Sequence, residues 1–338
     1  MLKYAIIGLG GLGKSHFKAY DIIKKELGDE IKLVALCDIR KEAFTATVAT
    51  NLGDDTASKD YSDYNLYYNV DDLLEKEELD FAVIVVPTYL HEELAVKVMS
   101  KGINVFSEKP MAINAEAAKN MLDASEKYGV KLMIGQCVRY MNGYIKLREI
   151  IESGKYGKVI RAHFSRMSGT PVWGWENWYL DAEKSGGAAL DLHVHDVDMI
   201  NYLFGMPKSV TSFATNYKTK YDSIVTRYEY DDVLVTATGE WGCPSMSYLF
   251  NSGFFVKLET ATLEVKAGKF WLYTDDADEK IEVKVEFNNS YATEVMDFID
   301  CIKNDKVSEI NPATDSYNSL KIAIAETVSA DTGKTVEL

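Results

Sequence analysis

Leu2-Lys3-Tyr4-Ala5-Ile6-Ile7-Gly8-Leu9-Gly10-Gly11-Leu12-Gly13 opens the chain. A short apolar strand, Lys3–Gly8, runs straight into glycines spaced Gly-x-Gly-x-x-Gly, and a helix is expected from Lys14 to Leu27. Strand, glycines and helix in that order are the context a dinucleotide turn requires. Gly8 permits the tight turn, Gly10 lets the main chain approach a pyrophosphate, and Gly13 lets the helix pack close to the strand. Leu12 lies on the same turn. The helix start offers free N–H groups and a positive dipole end to phosphates.

Working outward, strands and helices alternate. Ile31–Asp38 reads as a strand and Lys41–Leu52 as a helix. The polar stretch Gly53–Asn69, with four Asp and four Tyr, reads as a solvated surface loop. Asp71–Lys76 is a short helix. Phe81–Val86 is a continuous apolar run, the mark of a strand buried on both faces. The helix His91–Lys101, the strand Asn104–Ser107, the helix Ala115–Tyr128 and the strand Lys131–Gly135 follow. This alternation predicts a doubly wound parallel sheet with right-handed crossovers.

Beyond about residue 135 the pattern changes. Helices are expected at Gly143–Ser153 and Asp191–Leu203. Strands are expected at Lys158–Ser168, Ser209–Asn216, Ile224–Tyr230, Leu234–Trp241, Phe254–Lys266, Lys269–Tyr273 and Lys280–Phe287. Helices Tyr291–Lys303 and Ala313–Asp331 close the chain, with Gly333 at a C-cap position. Consecutive strands imply a mostly antiparallel sheet. The expected fold is α/β: a dinucleotide domain over residues 1–122 and an α+β substrate and oligomerisation domain over 123–338. The division falls in 122–135.

The 338 residues suffice for two cores. A net charge of −15, with no cluster of Lys and Arg, speaks against nucleic acid and against anionic lipid surfaces. The longest apolar run, Phe81–Val86, is far short of the ~20 residues of a membrane span. Met1-Leu2-Lys3-Tyr4 leads into a strand rather than a signal peptide. The four cysteines are scattered without a Cys-x-x-Cys pair, which suits a reducing cytoplasm.

Asp38 ends the second strand, where a carboxylate accepts hydrogen bonds from adenosine ribose hydroxyls. That favours NAD. Arg40 is placed to pair with a 2′-phosphate, but Asp38 would repel the same group, so NADP is the lesser alternative. At the far end of the block stands Glu108-Lys109-Pro110. Ligands bind outside the carboxyl ends of parallel strands. Lys109 can therefore supply a cation there, and Glu108 could orient it or the cofactor ribose. Pro87, Thr88 and His91 belong to the same edge.

Alcohol oxidation by hydride transfer needs a base for the hydroxyl proton and a cation for the developing alkoxide. Gly186-Gly187-Ala188-Ala189-Leu190-Asp191-Leu192-His193-Val194-His195-Asp196-Val197-Asp198 can provide the base. Asp191 and His195, four apart, share one face of a helix, and His195 suits a general base. His193 is expected to pack elsewhere. A metal at His193-x-His195 is disfavoured, because the chain has only five histidines. Trp173, Trp175, Trp178 and Tyr179 form an aromatic loop whose faces suit sugar rings. Arg139 and Tyr140 are weaker candidates for substrate hydroxyls.

With these motifs in hand, the chain resembles the glucose–fructose oxidoreductase / inositol dehydrogenase / MocA family of NAD(P)-dependent oxidoreductases. The resemblance rests on Ile6 through Gly13, on Val86-Pro87-Thr88 with His91, and on Glu108-Lys109-Pro110. It rests further on Gly135-Gln136-Cys137-Val138-Arg139-Tyr140 and on Gly186-Gly187 through Asp198, where Ala188 replaces a frequent third glycine. It implies a Rossmann domain and a second domain whose open sheet pairs subunits into dimers or tetramers. It implies a sugar, sugar-derivative or inositol substrate. Lys109 would be the catalytic lysine, His195 the proton-exchanging histidine and Asp191 their acidic partner. Two alternatives are a redox-neutral NAD-dependent glycosidase and a non-catalytic dinucleotide-binding regulator.

Overall fold

The computed structural model describes the chain except residues 46–47, 51–52, 56–59, 246, 249 and 267. Six parallel strands form the first sheet: Leu2–Ile7, Ile31–Cys37, Asn65–Tyr67, Phe81–Ile84, Asn104–Glu108 and Leu132–Gly135. Numbered in chain order, they lie third-second-first-fourth-fifth-sixth. Strand order reverses beside Leu2–Ile7, so a crevice opens at the carboxyl ends there. All four residues of Phe81–Ile84 are buried, because helices cover both faces. Helix Gly11–Leu27 covers one face, and His91–Met99 and Ala115–Tyr128 cover the other.

Helix Ser290–Lys303 returns from the far end of the chain to the first face. Its Val295, Phe298 and Ile299 join Phe17, Ile23, Phe81 and Phe106 in one apolar cluster. Phe298 meets Phe81 and Phe106 with ring centroids 5.7 and 5.9 Å apart. The expected division at residue 122 falls inside helix Ala115–Tyr128. That helix and Leu132–Gly135 form one crossover, so the parallel sheet carries the first domain to Gly135.

The second sheet has nine strands. All pairings are antiparallel except Leu234–Cys243 with Val159–Gly169. Helices Val194–Phe204 and Ala313–Thr332 pack on one face. On the other, Phe213 and Val225 pair across strands and stand 70% and 45% exposed.

Four expectations shift. The stretch Phe254–Lys266 is two strands, Asn251–Leu258 and Ala261–Lys266. Glu259-Thr260 makes the turn without the Gly or Pro that announces one. Within Lys280–Phe287 only Ile281–Glu282 pairs. The expected helix Lys41–Leu52 is a short 3₁₀ turn, Lys41–Phe44, followed by a strand Val48–Thr50 paired with Gly53–Asp55. Its Val and Thr content favours strand over helix, and part of that segment lies outside the described residues. The Tyr-rich stretch 53–69, also partly outside them, is not all solvated loop. It holds the third strand, and Tyr61 and Tyr64 set their rings edge-on to Phe17 at 5.0 and 5.3 Å.

Space around the glycines yields a paired prediction. A Cβ on Gly13 would sit 2.0 Å from Gly8 O, whereas one on Gly10 meets nothing within 4 Å. Gly13→Ala should lose at least about 2 kcal/mol of stability in denaturant unfolding. Gly10→Ala should unfold like the wild type yet bind dinucleotide more weakly.

Candidate active site

The glycine turn is pinned to its strands. Gly8 N–H donates to Cys37 O (2.8 Å) and Val85 N–H to Ile7 O (2.7 Å). Gly8 holds φ +100°, and a Cβ there would meet Val85 O at 2.2 Å. Among the described residues no side chain caps the start of helix Gly11–Leu27, and no acidic residue lies in its first turn. Its leading N–H groups are left to an anion. This bare helix start, with open space over Gly10, fits a pyrophosphate.

Asp38 is buried at the end of the second strand. It accepts from Leu9 N–H at 2.8 Å and from Arg40 N–H at 2.9 Å. The Arg40 guanidinium grips both carboxylate oxygens, each at 3.0 Å. The expected contest between the two residues is thus resolved as an ion pair. Recruiting Arg40 to a 2′-phosphate would break a two-pronged bond of the stronger, charge-assisted kind.

Glu108 does not reach for the ammonium beside it. Its buried carboxylate contacts His16 Nε2 (2.6 Å) and accepts the Lys109 N–H (3.1 Å). It therefore sets the main chain from which Lys109 projects. A Cβ at Gly135 would come within 3.0 Å of that carboxylate, so Gly135 preserves the contact. Behind it lies Glu294, fully buried with neither oxygen hydrogen-bonded among the described residues. Burial, and then the Glu108 charge, push the Glu294 carboxyl well above its ordinary range. His16 and Glu294 escaped sequence reasoning. For His16 the available signal was its place one turn beyond the glycines; Glu294 offered none.

Lys109 Nζ crosses between domains and donates to Asp191 O at 2.6 Å, with Asp191 Oδ1 at 3.4 Å. Asp191 lies in a wide π-type turn, Ala189–His193, that leads into helix Val194–Phe204. Such turns recur at functional sites. His195 follows in the first turn of that helix, its Nδ1 buried and without a partner among the described residues. Burial, then the Lys109 ammonium, then Arg166 hold the imidazole well below its ordinary pKa. These causes favour the neutral form of His195 at neutral pH. The ammonium and the imidazole, 86 residues apart in sequence, come close enough for the first to weigh on the second.

His193 points away into the second domain. Its Nε2 lies 3.6 Å from Glu326 and 3.4 Å from the Tyr228 hydroxyl. Burial opposes its charge, but Glu326 outweighs burial and raises the pKa. The two histidines therefore diverge, as the packing expectation for His193 requires. Trp178 stacks on Tyr179 at 4.0 Å. Burial, then the Asp191 charge, raise the Tyr179 phenol, so it stays protonated beside Asp191.

Three sequence candidates are corrected. Arg139 is buried and spends its donors on Asp198 (2.7 and 2.8 Å), Ile310 O (2.7 Å) and Asp315 (3.0 Å). Tyr140 is buried and donates to Asp297 at 2.6 Å. Four of the five Arg139 N–H groups and the single Tyr140 O–H are thus taken by the protein itself. His91 is buried with Nδ1 on Pro110 O (2.8 Å) and Nε2 on Val86 O (2.9 Å). It fastens together the two loops that follow adjacent strands, with both ring nitrogens engaged by main-chain oxygens. Thr88 is buried in the loop that His91 holds, with Pro87 accepting the Leu90 N–H at 2.9 Å.

Glycine turn, bare helix start and strand-end carboxylate define a Rossmann-type dinucleotide-binding protein. Residues 2–136 match the model of the oxidoreductase family with an NAD-binding Rossmann fold. Residues 144–264 match the GFO/IDH/MocA C-terminal domain. The chain belongs to this Gfo/Idh/MocA oxidoreductase family. It is 26% identical over 359 residues to scyllo-inositol 2-dehydrogenase (NAD(+)) of Bacillus subtilis (strain 168), covering 100% of this chain and 96% of that one. It is 30% identical over 220 residues to a 2,7-anhydro-N-acetylneuraminate hydratase of Mediterraneibacter gnavus (strain ATCC 29149 / DSM 114966 / JCM 6515 / VPI C7-9), covering 63% and 52%. The chain spans about half the length of several curated relatives it matches. Its fold superposes on levoglucosan dehydrogenase in complex with NADH and levoglucosan with a TM-score of 0.83. That match has 18% identity and covers 99% of both chains.

Arg139 supplies a prediction. Arg139→Ala should lose about 3–5 kcal/mol in denaturant unfolding, because it strands Asp198 as a buried, unpaired charge.

Proposed function

We propose that this protein oxidises a secondary alcohol of a sugar, sugar derivative or inositol, with NAD as the acceptor. The observation that carries this reading is the Lys109 ammonium, fixed on Asp191 beside a neutral His195 at the carboxyl edge of the NAD-binding sheet. When bound, the nicotinamide accepts the hydride at C4. His195 takes the hydroxyl proton. Lys109 holds the oxygen as it gains negative charge, and Asp191 keeps the ammonium in place. The carbon loses one hydride and the oxygen one proton, which leaves a ketone.

Other features support the setting. The Asp38–Arg40 pair supports NAD over NADP. The exposed cross-strand pair Phe213 and Val225 on the open face of the second sheet supports homodimers or homotetramers built through that sheet. The cysteines Cys37, Cys137, Cys243 and Cys301 are free, which supports a cytoplasmic protein. Among the described residues no helix is long and apolar enough to cross a membrane.

A second reading is favoured by the relative named a hydratase: the same site could oxidise a sugar transiently and return the hydride, with no net redox change. A screen of inositols, aldoses, ketoses and amino sugars with NAD and NADP, followed by NADH absorbance, separates the two. A dehydrogenase accumulates NADH and a redox-neutral enzyme does not. Lys109→Ala should bind NADH normally while its turnover falls about 10²–10³-fold. Near-wild-type turnover would remove Lys109 from the reaction.

A further inference from the structure

We infer that Trp175, carried by the second domain, closes over the adenine of the bound dinucleotide and completes the cofactor subsite of the first domain. This inference rests on the NAD reading above. The sequence offered the aromatic loop as a surface for sugar rings, with Trp178 as its substrate-binding candidate, but the structure divides the loop. Trp173 and Trp178 pack on Tyr179, with centroids 6.2 and 4.0 Å apart, toward Asp191. Trp175 instead reaches across the crevice to Arg40. The Arg40 guanidinium carbon stands 5.9 Å from the centre of the Trp175 ring.

The place of that contact gives it meaning. Asp38 marks where ribose hydroxyls are held at the end of the second strand. Arg40 is fixed to Asp38 by two hydrogen bonds, so its guanidinium is held beside the ribose position, next to which the base is attached. Surfaces in direct contact stack at about 3.5 Å, so one flat ring between two others needs about 7 Å. The 5.9 Å between guanidinium carbon and ring centre is a centre-to-centre distance, longer than direct stacking and about 1 Å less than a base between the two groups needs. A small outward shift of Trp175 would therefore give the base an aromatic ring on one side and a guanidinium on the other, both good stacking surfaces.

The loop is shaped to hold Trp175 out. Glu176 and Asn177, directly after it, both adopt left-handed conformations at φ +50° and +53°. A glutamate takes that conformation at a cost. The turn closes with Asn177 N–H on Gly174 O at 3.0 Å. Trp175 is half-buried and belongs to neither apolar cluster of the described residues, so core packing does not account for its position.

The test is calorimetric titration of the full chain with two probes, ADP-ribose and nicotinamide mononucleotide, using the wild type, Trp175→Ala and Trp175→Phe. The expected result is about ten-fold weaker ADP-ribose binding in Trp175→Ala. Trp175→Phe should restore most of it, and nicotinamide mononucleotide affinity should be unchanged. Unchanged ADP-ribose affinity in Trp175→Ala would overturn the inference while leaving the NAD reading intact. Equal weakening of both probes would also overturn it, as general damage to the loop. A wild type that binds neither ADP-ribose nor NAD would overturn the NAD reading itself.

Discussion

One charge crossing from one domain to the other organises the candidate site. Lys109 projects from the end of a buried parallel strand, and its ammonium is received by Asp191, on the turn that begins the second domain's central helix. Both side chains are mostly shielded, at 12% and 17% exposure, so the contact is little weakened by solvent. The same ammonium disfavours a proton on His195. One contact thus links the two domains and, after burial, adds to what keeps a proton off His195.

The surroundings stiffen that contact. Glu108 ties the Lys109 main chain to His16 on the helix that follows the glycine turn. His91 joins the loop after Val86 to the loop at Pro110. Arg139 anchors the last crossover of the first domain to helices of the second through Asp198 and Asp315. Helix Ser290–Lys303 seals the arrangement by returning to the first sheet. Function needs the chemistry held within a fraction of an ångström, and buried polar ties of this sort supply it.

Much of this was legible because local signals agreed. Gly8, Gly10 and Gly13 follow a strand and open a helix. Strands alternate with helices as far as Gly135, and Lys109 stands at a strand end, where ligands gather in such sheets. What was illegible depended on long-range pairing. Arg139 and a substrate-binding arginine look the same in sequence; only the arrival of Asp198 and Asp315 shows that most of its donors are taken. Glu294 lies nearly two hundred residues from the glutamate it faces. The turn at Glu259-Thr260 lacks a breaking residue, so two strands read as one. Trp175 and Trp178 share a loop, yet one lies near Arg40 and the other stacks on Tyr179.

The convergence of ammonium and imidazole is tested most directly by ¹⁵N magnetic resonance of the histidine rings across pH, in the wild type and in Lys109→Met. His195 should titrate below the ordinary histidine value of 6.5 in the wild type. Removing the neighbouring positive charge should favour the protonated ring and raise that pKa. A His195 titration identical in the two proteins would contradict the account, because the two groups would then not share a site.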